Sequence, residues 1–133
     1  MWRMRYMGID FGTKRVGVSL SDEGGIMAFP HSVVPNDTKL LDALCALAQK
    51  EGVGAIVLGH SRTLGGEDNP VAKDARACAR VLEDRLSVPA YFESEVFTTQ
   101  EAVREQGRNA LTDASAATII LNSYLARIKN SSL

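Results

Sequence analysis

The chain has only two cysteines, no excess charge of either sign, no long apolar run and no low-complexity segment, and each shortage excludes a class of protein. Cys45 and Cys78 lie outside any Cys-x-x-Cys pair and away from spaced histidines. Neither a zinc site nor a disulfide framework is indicated, and both are expected as buried, reduced thiols. Fifteen Lys and Arg against 16 Asp and Glu leave a formal charge of -1, which offers a polyanion no global attraction. Any nucleic-acid site must therefore be a local patch. Arg3 and Arg5 lead into no apolar signal-peptide core, and nowhere do about 18 apolar residues run together, so a cytoplasmic protein with no membrane partner is expected.

What is present suits one core. The 133 residues are 45% hydrophobic and 23% charged, the profile of a single domain spanning 1–133. A chain of about 150 residues buries roughly 70% of the surface its unfolded form exposes, enough to dispense with a disulfide or structural metal.

Arg5 to Asp10 and Arg15 to Ser21 are short apolar-biased runs joined by Phe11-Gly12-Thr13-Lys14, which reads as a hairpin connection. A third run, Ile26 to Val34, follows Asp22-Glu23-Gly24-Gly25 and completes an antiparallel three-strand meander. From Thr38 to Glu51, Leu40, Leu41, Leu44, Leu47 and Ala48 recur at helical spacing, with Asp37 as expected N-cap and Gly52 as the stop. Ala55 to Gly59 is continuously apolar, as in a strand covered on both faces. After a polar loop, Pro70 takes a favoured first helical position with Asn69 as its cap, and Ala72, Ala75, Ala79, Leu82 and Leu86 mark one face.

Pro89 to Glu93 reads as the fifth strand. Thr98-Thr99-Gln100-Glu101 has the pattern of a capping box opening a short helix. Thr112-Asp113 opens the last helix, whose apolar face carries Ala117, Ile120, Leu121, Tyr124 and Ile128, and Asn130 to Leu133 is expected to fray. The order β-β-β-α-β-α-β-α-α predicts an α/β fold: a mixed five-stranded sheet, the meander plus two parallel strands, with helices on both faces.

Several carboxylates fall where such a sheet gathers its ligands. Asp10 ends an apolar strand just before Gly12, a position that either shapes a turn or presents an acid at the strand's carboxyl end. Glu93 and Glu95, two apart, share one side of a regular strand and leave Ser94 on the other. Asp113, one turn before Ala117, faces the sheet or caps its helix. In open α/β sheets the carboxyl ends of neighbouring strands share one crevice. Three acids gathered there repel one another unless cations neutralise them, and a small set of hard oxygen donors with open positions suits Mg²⁺ or Mn²⁺. Two such ions can clamp the attacking water and leaving oxygen of a phosphodiester.

Lys14 and Arg15 can hold a phosphate nearby. Thr98 and Thr99 offer hydroxyls and helix N-terminal N–H groups to a backbone phosphate, or simply cap. His60 either touches substrate or is an ordinary loop histidine, and His31 is read as structural. Arg3, Arg5, Lys14, Arg15, Arg104 and Arg108 are the candidates for one basic rim.

Gly8-Ile9-Asp10-Phe11-Gly12-Thr13-Lys14-Arg15-Val16-Gly17, Ile56-Val57-Leu58-Gly59, Glu95 with Thr98-Thr99, and Asp113-Ala114-Ser115-Ala116-Ala117 before Ile120-Leu121 carry a resemblance. Together, over nearly the whole chain, they resemble the YqgF family, also called RuvX, of the RNase H-like superfamily. Actin-like ATPases and sugar kinases begin with a similar glycine-rich motif, but they need a duplicated core far longer than this chain.

The resemblance implies an RNase H-like fold, a divalent-metal site and hydrolysis of nucleic-acid phosphodiesters. The family's assigned role is processing of the 5′ end of the small-subunit ribosomal RNA precursor. Asp10, Glu95 and Asp113 fall on its acidic positions, and Lys14 and Arg15 on its basic pair. The family usually reads Asp-Glu-Arg-x-Thr-Thr where this chain has Ser94-Glu95-Val96-Phe97-Thr98-Thr99, so one acid and one arginine are absent. Glu93, on the same side as Glu95, is expected to replace the missing acid in part. His60-Ser61 replaces the family's usual apolar residue and proline, so that loop is expected to meet substrate differently. Three functions follow as alternatives: an endonuclease on precursor ribosomal RNA, a junction-resolving nuclease on branched DNA, and a non-catalytic RNA- or ribosome-associated module, acting as a monomer or weak homodimer.

Overall fold

The computed structural model describes residues 4–60, 70–94 and 110–131, with backbone alone at 60, 70–72, 94, 110–113 and 130–131. The strands are β1 (Arg5–Phe11), β2 (Arg15–Ser21), β3 (Ala28–Pro35), β4 (Val53–His60) and β5 (Ala90–Ser94). The described helices are α1 (Leu40–Glu51), α2 (Pro70–Leu86) and α3 (Ala110–Ser131). One mixed sheet runs β3-β2-β1-β4-β5. β2 pairs antiparallel with β1 and β3, while β4 lies parallel to both β1 and β5. This is the expected meander continued by two parallel strands, and α1 and α2 cover one face while α3 covers the other.

Strand alternation builds the two cores. Met7 and Ile9 of β1, Val16 and Val18 of β2 and Ile56 and Leu58 of β4 meet Leu44 and Ala48 of α1 and Ala75, Ala79 and Leu82 of α2. On the opposite face Tyr6, Ala55 and Val57 meet Ile120, Leu121, Tyr124 and Leu125 of α3. The central strands are thus apolar on both sides, as a covered parallel pair requires. Cys45 and Cys78 are buried and free, as expected.

Several boundaries differ from the sequence expectation. β3 begins at Ala28, not Ile26, because the Asp22 carboxylate accepts the N–H groups of Ile26 and Met27 and holds them in the turn. Those two bonds also lower the Asp22 pKa. The N-cap of α1 is Lys39 rather than Asp37, whose side chain instead accepts the Lys39 N–H at 2.9 Å, one turn ahead of the helix. Gly52 closes α1 in the left-handed conformation at φ 65°, which glycine adopts without a Cβ penalty. Pro70 opens α2 as expected, while its proposed cap Asn69 lies outside the described residues. α3 starts two residues before Thr112 and stays helical through Ser131, beyond the expected fraying point. The proposed helix after Thr98-Thr99 lies outside the described residues.

Candidate active site

Asp10 is the penultimate residue of β1, the middle strand of the sheet, and its half-buried side chain projects towards α3. It is in register with Gly17 on β2 and with Gly59 on β4. Register partners share a face, so the positions directly opposite Asp10 on both neighbouring strands are glycines.

Helix α3 approaches this face closely because two glycines permit it. A Cβ on Gly8 would lie 2.8 Å from Leu121 Cβ and 2.9 Å from the Ala117 carbonyl oxygen, and one on Gly59 would lie 2.2 Å from Ile120 Cδ1. The buried Ser19 hydroxyl donates to the Ala117 carbonyl at 2.9 Å and the Asn122 side-chain oxygen accepts the Ala28 N–H at 2.9 Å, tying α3 to β2 and β3.

The helix runs antiparallel to β1. Tyr6 meets Tyr124 with ring centroids 6.1 Å apart, whereas Gly8, two residues on, meets Leu121 and Ala117. Four helical residues advance about 6 Å and two strand residues about 6.6 Å. The step back from Ala117 to position 113 therefore matches the step forward from Gly8 to Asp10, and the first turn of α3 is carried to the Asp10 end of the sheet.

Lys14 is exposed in the β1–β2 connection, and Arg15 is the half-buried first residue of β2. Asn36, just after β3, staples this connection: its N–H donates to the Lys14 carbonyl at 2.9 Å and its side-chain amide to the Gly12 carbonyl at 2.7 Å. The sequence marks Pro35-Asn36-Asp37 as a break after β3, as an asparagine between proline and aspartate signals, but not that Asn36 ties back to the hairpin. His60 is the last residue of β4, in register with Ser94. Its side chain, that of Asp113, and all of Glu95, Thr98 and Thr99 lie outside the described residues. Among the described residues no group of three His, Cys, Asp or Glu side chains gathers to hold a metal.

One expectation is corrected. Arg5 belongs to no basic rim with Lys14 and Arg15, because it starts β1 at the opposite end from Asp10 and pairs with Glu51 at 2.8 Å and Glu23 at 3.6 Å. Arg3, Arg104 and Arg108 lie outside the described residues. Glu93 faces the α3 side, as alternation predicts, and its carboxylate is bound by two α3 residues. One oxygen accepts the Ser123 hydroxyl at 2.9 Å and the other pairs with Arg127. Arg127 also lies over the Tyr124 ring, 5.3 Å from its centroid, and Tyr91 stacks on that ring at 5.4 Å. Burial, with the neighbouring Tyr91 and Tyr6 rings, raises the Tyr124 phenol. It stays neutral at physiological pH, and the nearby anion facing Arg127 is Glu93. His31 is exposed on β3, its Nδ1 2.8 Å from the Ser32 hydroxyl.

The family model described as "RuvX: Holliday junction resolvase" matches residues 4–127. The chain belongs to the RuvX family. A relative from Maridesulfovibrio salexigens, provisionally named a pre-16S rRNA nuclease, is 36% identical over 93% of this chain and 99% of its own. Another of that provisional name, from Moorella thermoacetica, is 36% identical over 94% of this chain and 96% of its own. Among solved structures, Thermus thermophilus RuvC in complex with a Holliday junction substrate superposes with a TM-score of 0.64 at 17% identity, covering 94% of this chain and 96% of that one. The fowlpox virus Holliday junction resolvase gives 0.59 at 10% identity, covering 94% and 99%. Likeness at those identities shows the shared RNase H-like fold, which the RuvX chain keeps with α3 packed against the face that presents Asp10.

Proposed function

We propose that this RuvX chain is a metal-dependent endonuclease hydrolysing nucleic-acid phosphodiesters, and that its substrate is the 5′ end of the small-subunit (16S) ribosomal RNA precursor. Residues 1–133 act as one nuclease domain, in the cytoplasm, as a monomer or weak homodimer. The observation that carries the reading is Asp10: a half-buried acid at the carboxyl end of the middle strand, between two glycines, at the end of the sheet reached by the helix that bears Asp113. The curated relatives' provisional name supplies the substrate.

Asp10, Glu95 and Asp113 are the residues that would hold Mg²⁺ or Mn²⁺, singly or as a pair. A half-buried carboxylate at a strand end and a donor set made of hard oxygens fits such ions. When bound, the ions supply Lewis-acid stabilisation of charge on the phosphoryl oxygens. In the hydrolysis a water oxygen bonds to phosphorus, one P–O ester bond breaks, and a proton from the water ends on the leaving oxygen, giving one hydroxyl and one phosphate monoester end. Lys14 and Arg15 hold the substrate phosphate, Lys14 on a connection that Asn36 keeps in shape. Thr98 and Thr99 offer hydroxyls and N–H groups to a backbone phosphate, and His60 touches substrate.

A junction-resolving DNA nuclease is the second reading, favoured by the family's own description. Resolution needs two paired cuts and so two sites in a symmetric dimer, whereas trimming an RNA end needs one. The third, a non-catalytic RNA-binding module, is motivated by Ser94 and Val96 standing where the family has an acid and an arginine. The deciding experiment offers the chain a labelled small-subunit RNA precursor and a labelled four-way DNA junction with Mn²⁺. Cleavage of the RNA alone supports the first reading and cleavage of the junction the second. Retention of RNA without cleavage leaves the third.

A further inference from the structure

The three proposed metal-holding acids sit on three separate elements: Asp10 on β1, Glu95 just past the end of β5, and Asp113 in the first turn of α3. Something must hold those elements in common register. β1 meets α3 through Gly8, and β2 through the Ser19 hydroxyl, both at Ala117. At β5 the polar connection is Glu93. Its carboxylate is almost buried, 11% exposed, and binds two α3 residues one turn apart, Ser123 and Arg127. Glu93 is also in register with Gly59, which is in register with Asp10, so the clamp acts in the same cross-strand row as the candidate acid.

We infer that Glu93, clamped by Ser123 and Arg127, is a positioning residue that locks β5 to α3 and thereby sets the first turn of α3, which carries Asp113, relative to Asp10. The inference rests on the proposed function for what the three acids hold, but the clamp is a feature of the fold. Each Glu93 oxygen has a partner on α3, which assigns the carboxylate to the clamp. A carboxylate suits that position for two reasons. It accepts from a hydroxyl and a guanidinium at once, and its charge answers that of Arg127 over the Tyr124 ring. The helix is continuous from Ala110 to Ser131, so the clamp at Ser123 and Arg127 and the first turn belong to one element.

The test compares Arg127→Ala, Arg127→Lys and Glu93→Gln with the unaltered chain by two readouts: calorimetric titration with Mn²⁺, and amide hydrogen exchange along α3. Circular dichroism checks that each variant is folded. Positioning predicts that Arg127→Ala weakens Mn²⁺ binding by about tenfold, the lower end of what outer-shell partners contribute, while Arg127→Lys restores most of it. Glu93→Gln, which still accepts the Ser123 hydroxyl, stays within about threefold of the unaltered chain. Exchange should quicken in Arg127→Ala at Ala114 to Thr118, not merely near position 127.

If Glu93 were a ligand, Glu93→Gln would lose the ion, and Arg127→Ala, which frees the carboxylate, would bind as well or better; that pattern overturns the inference. Quickened exchange confined to residues 123–131 overturns it too. If the unaltered chain binds no Mn²⁺, the metal-dependent reading fails, and the exchange at Ala114 to Thr118 still decides whether the clamp positions the helix.

Discussion

Asp10 on β1 and Glu93 on β5 stand two strands apart on the same face, each in register with Gly59 between them. Two strand spacings separate their backbones by about 10 Å. Their environments differ: Glu93 is bound into α3 by Ser123 and Arg127, while Asp10 lies between the side-chain-free positions Gly17 and Gly59.

The close approach of α3 makes its two glycine contacts sensitive to a single methyl group. Gly59→Ala pushes against Ile120 Cδ1, the far end of a side chain that is 2% exposed, and is expected to cost about 1–3 kcal/mol. Gly8→Ala meets the Ser19 hydroxyl at 2.4 Å, Leu121 Cβ at 2.8 Å and the Ala117 carbonyl at 2.9 Å. Backbone cannot turn aside as a side-chain tip can, so Gly8→Ala should be the more destabilising of the two. Urea denaturation checks the order; equal midpoints for both variants and the unaltered chain would show that α3 packs less closely than described.

The buried thiol of Cys78 gives a pH dependence at the alkaline end. Burial, with Cys45 adding to it, pushes its pKa from 9.0 up to about 11. The unfolded chain loses this proton first, so the folded state holds more protons across that interval and stability falls as pH rises from about 9 to about 11. At pH 8 the folded thiol should resist iodoacetamide and react only on unfolding. Rapid alkylation of Cys78 in the folded chain at pH 8 would contradict its placement.

Much of this was legible in the residues. Alternation in β1 and β4 assigned both cores, Gly52 and Pro70 marked helix ends, and Asp10 stood out because a charge followed an apolar strand. The sequence could not reveal that Glu93 meets Arg127, 34 residues away, since alternation tells which face a strand residue takes but not what waits there. Arg5 was placed in a basic rim because proximity in sequence hid the length of β1, which sets it at the far end of the strand from Asp10. Asp37 looked like an N-cap from composition, yet one further turn of chain precedes α1.

Metal linkage follows from the proposed acids. Mn²⁺ at about 100 times its dissociation constant should stabilise the chain by about 2.7 kcal/mol, seen as a raised urea midpoint, and Asp10→Asn should lose most of that gain. An equal gain in Asp10→Asn would place the ion elsewhere.

The most direct test of the central claim is the single-turnover rate on labelled small-subunit RNA precursor in Mn²⁺, for the unaltered chain and for Asp10→Asn. The account predicts site-specific cleavage near the mature 5′ end that falls about a thousandfold or more in Asp10→Asn, roughly 4 kcal/mol of lost transition-state stabilisation, with unchanged circular dichroism. Equal rates in the two proteins would contradict it and remove Asp10 from the chemistry.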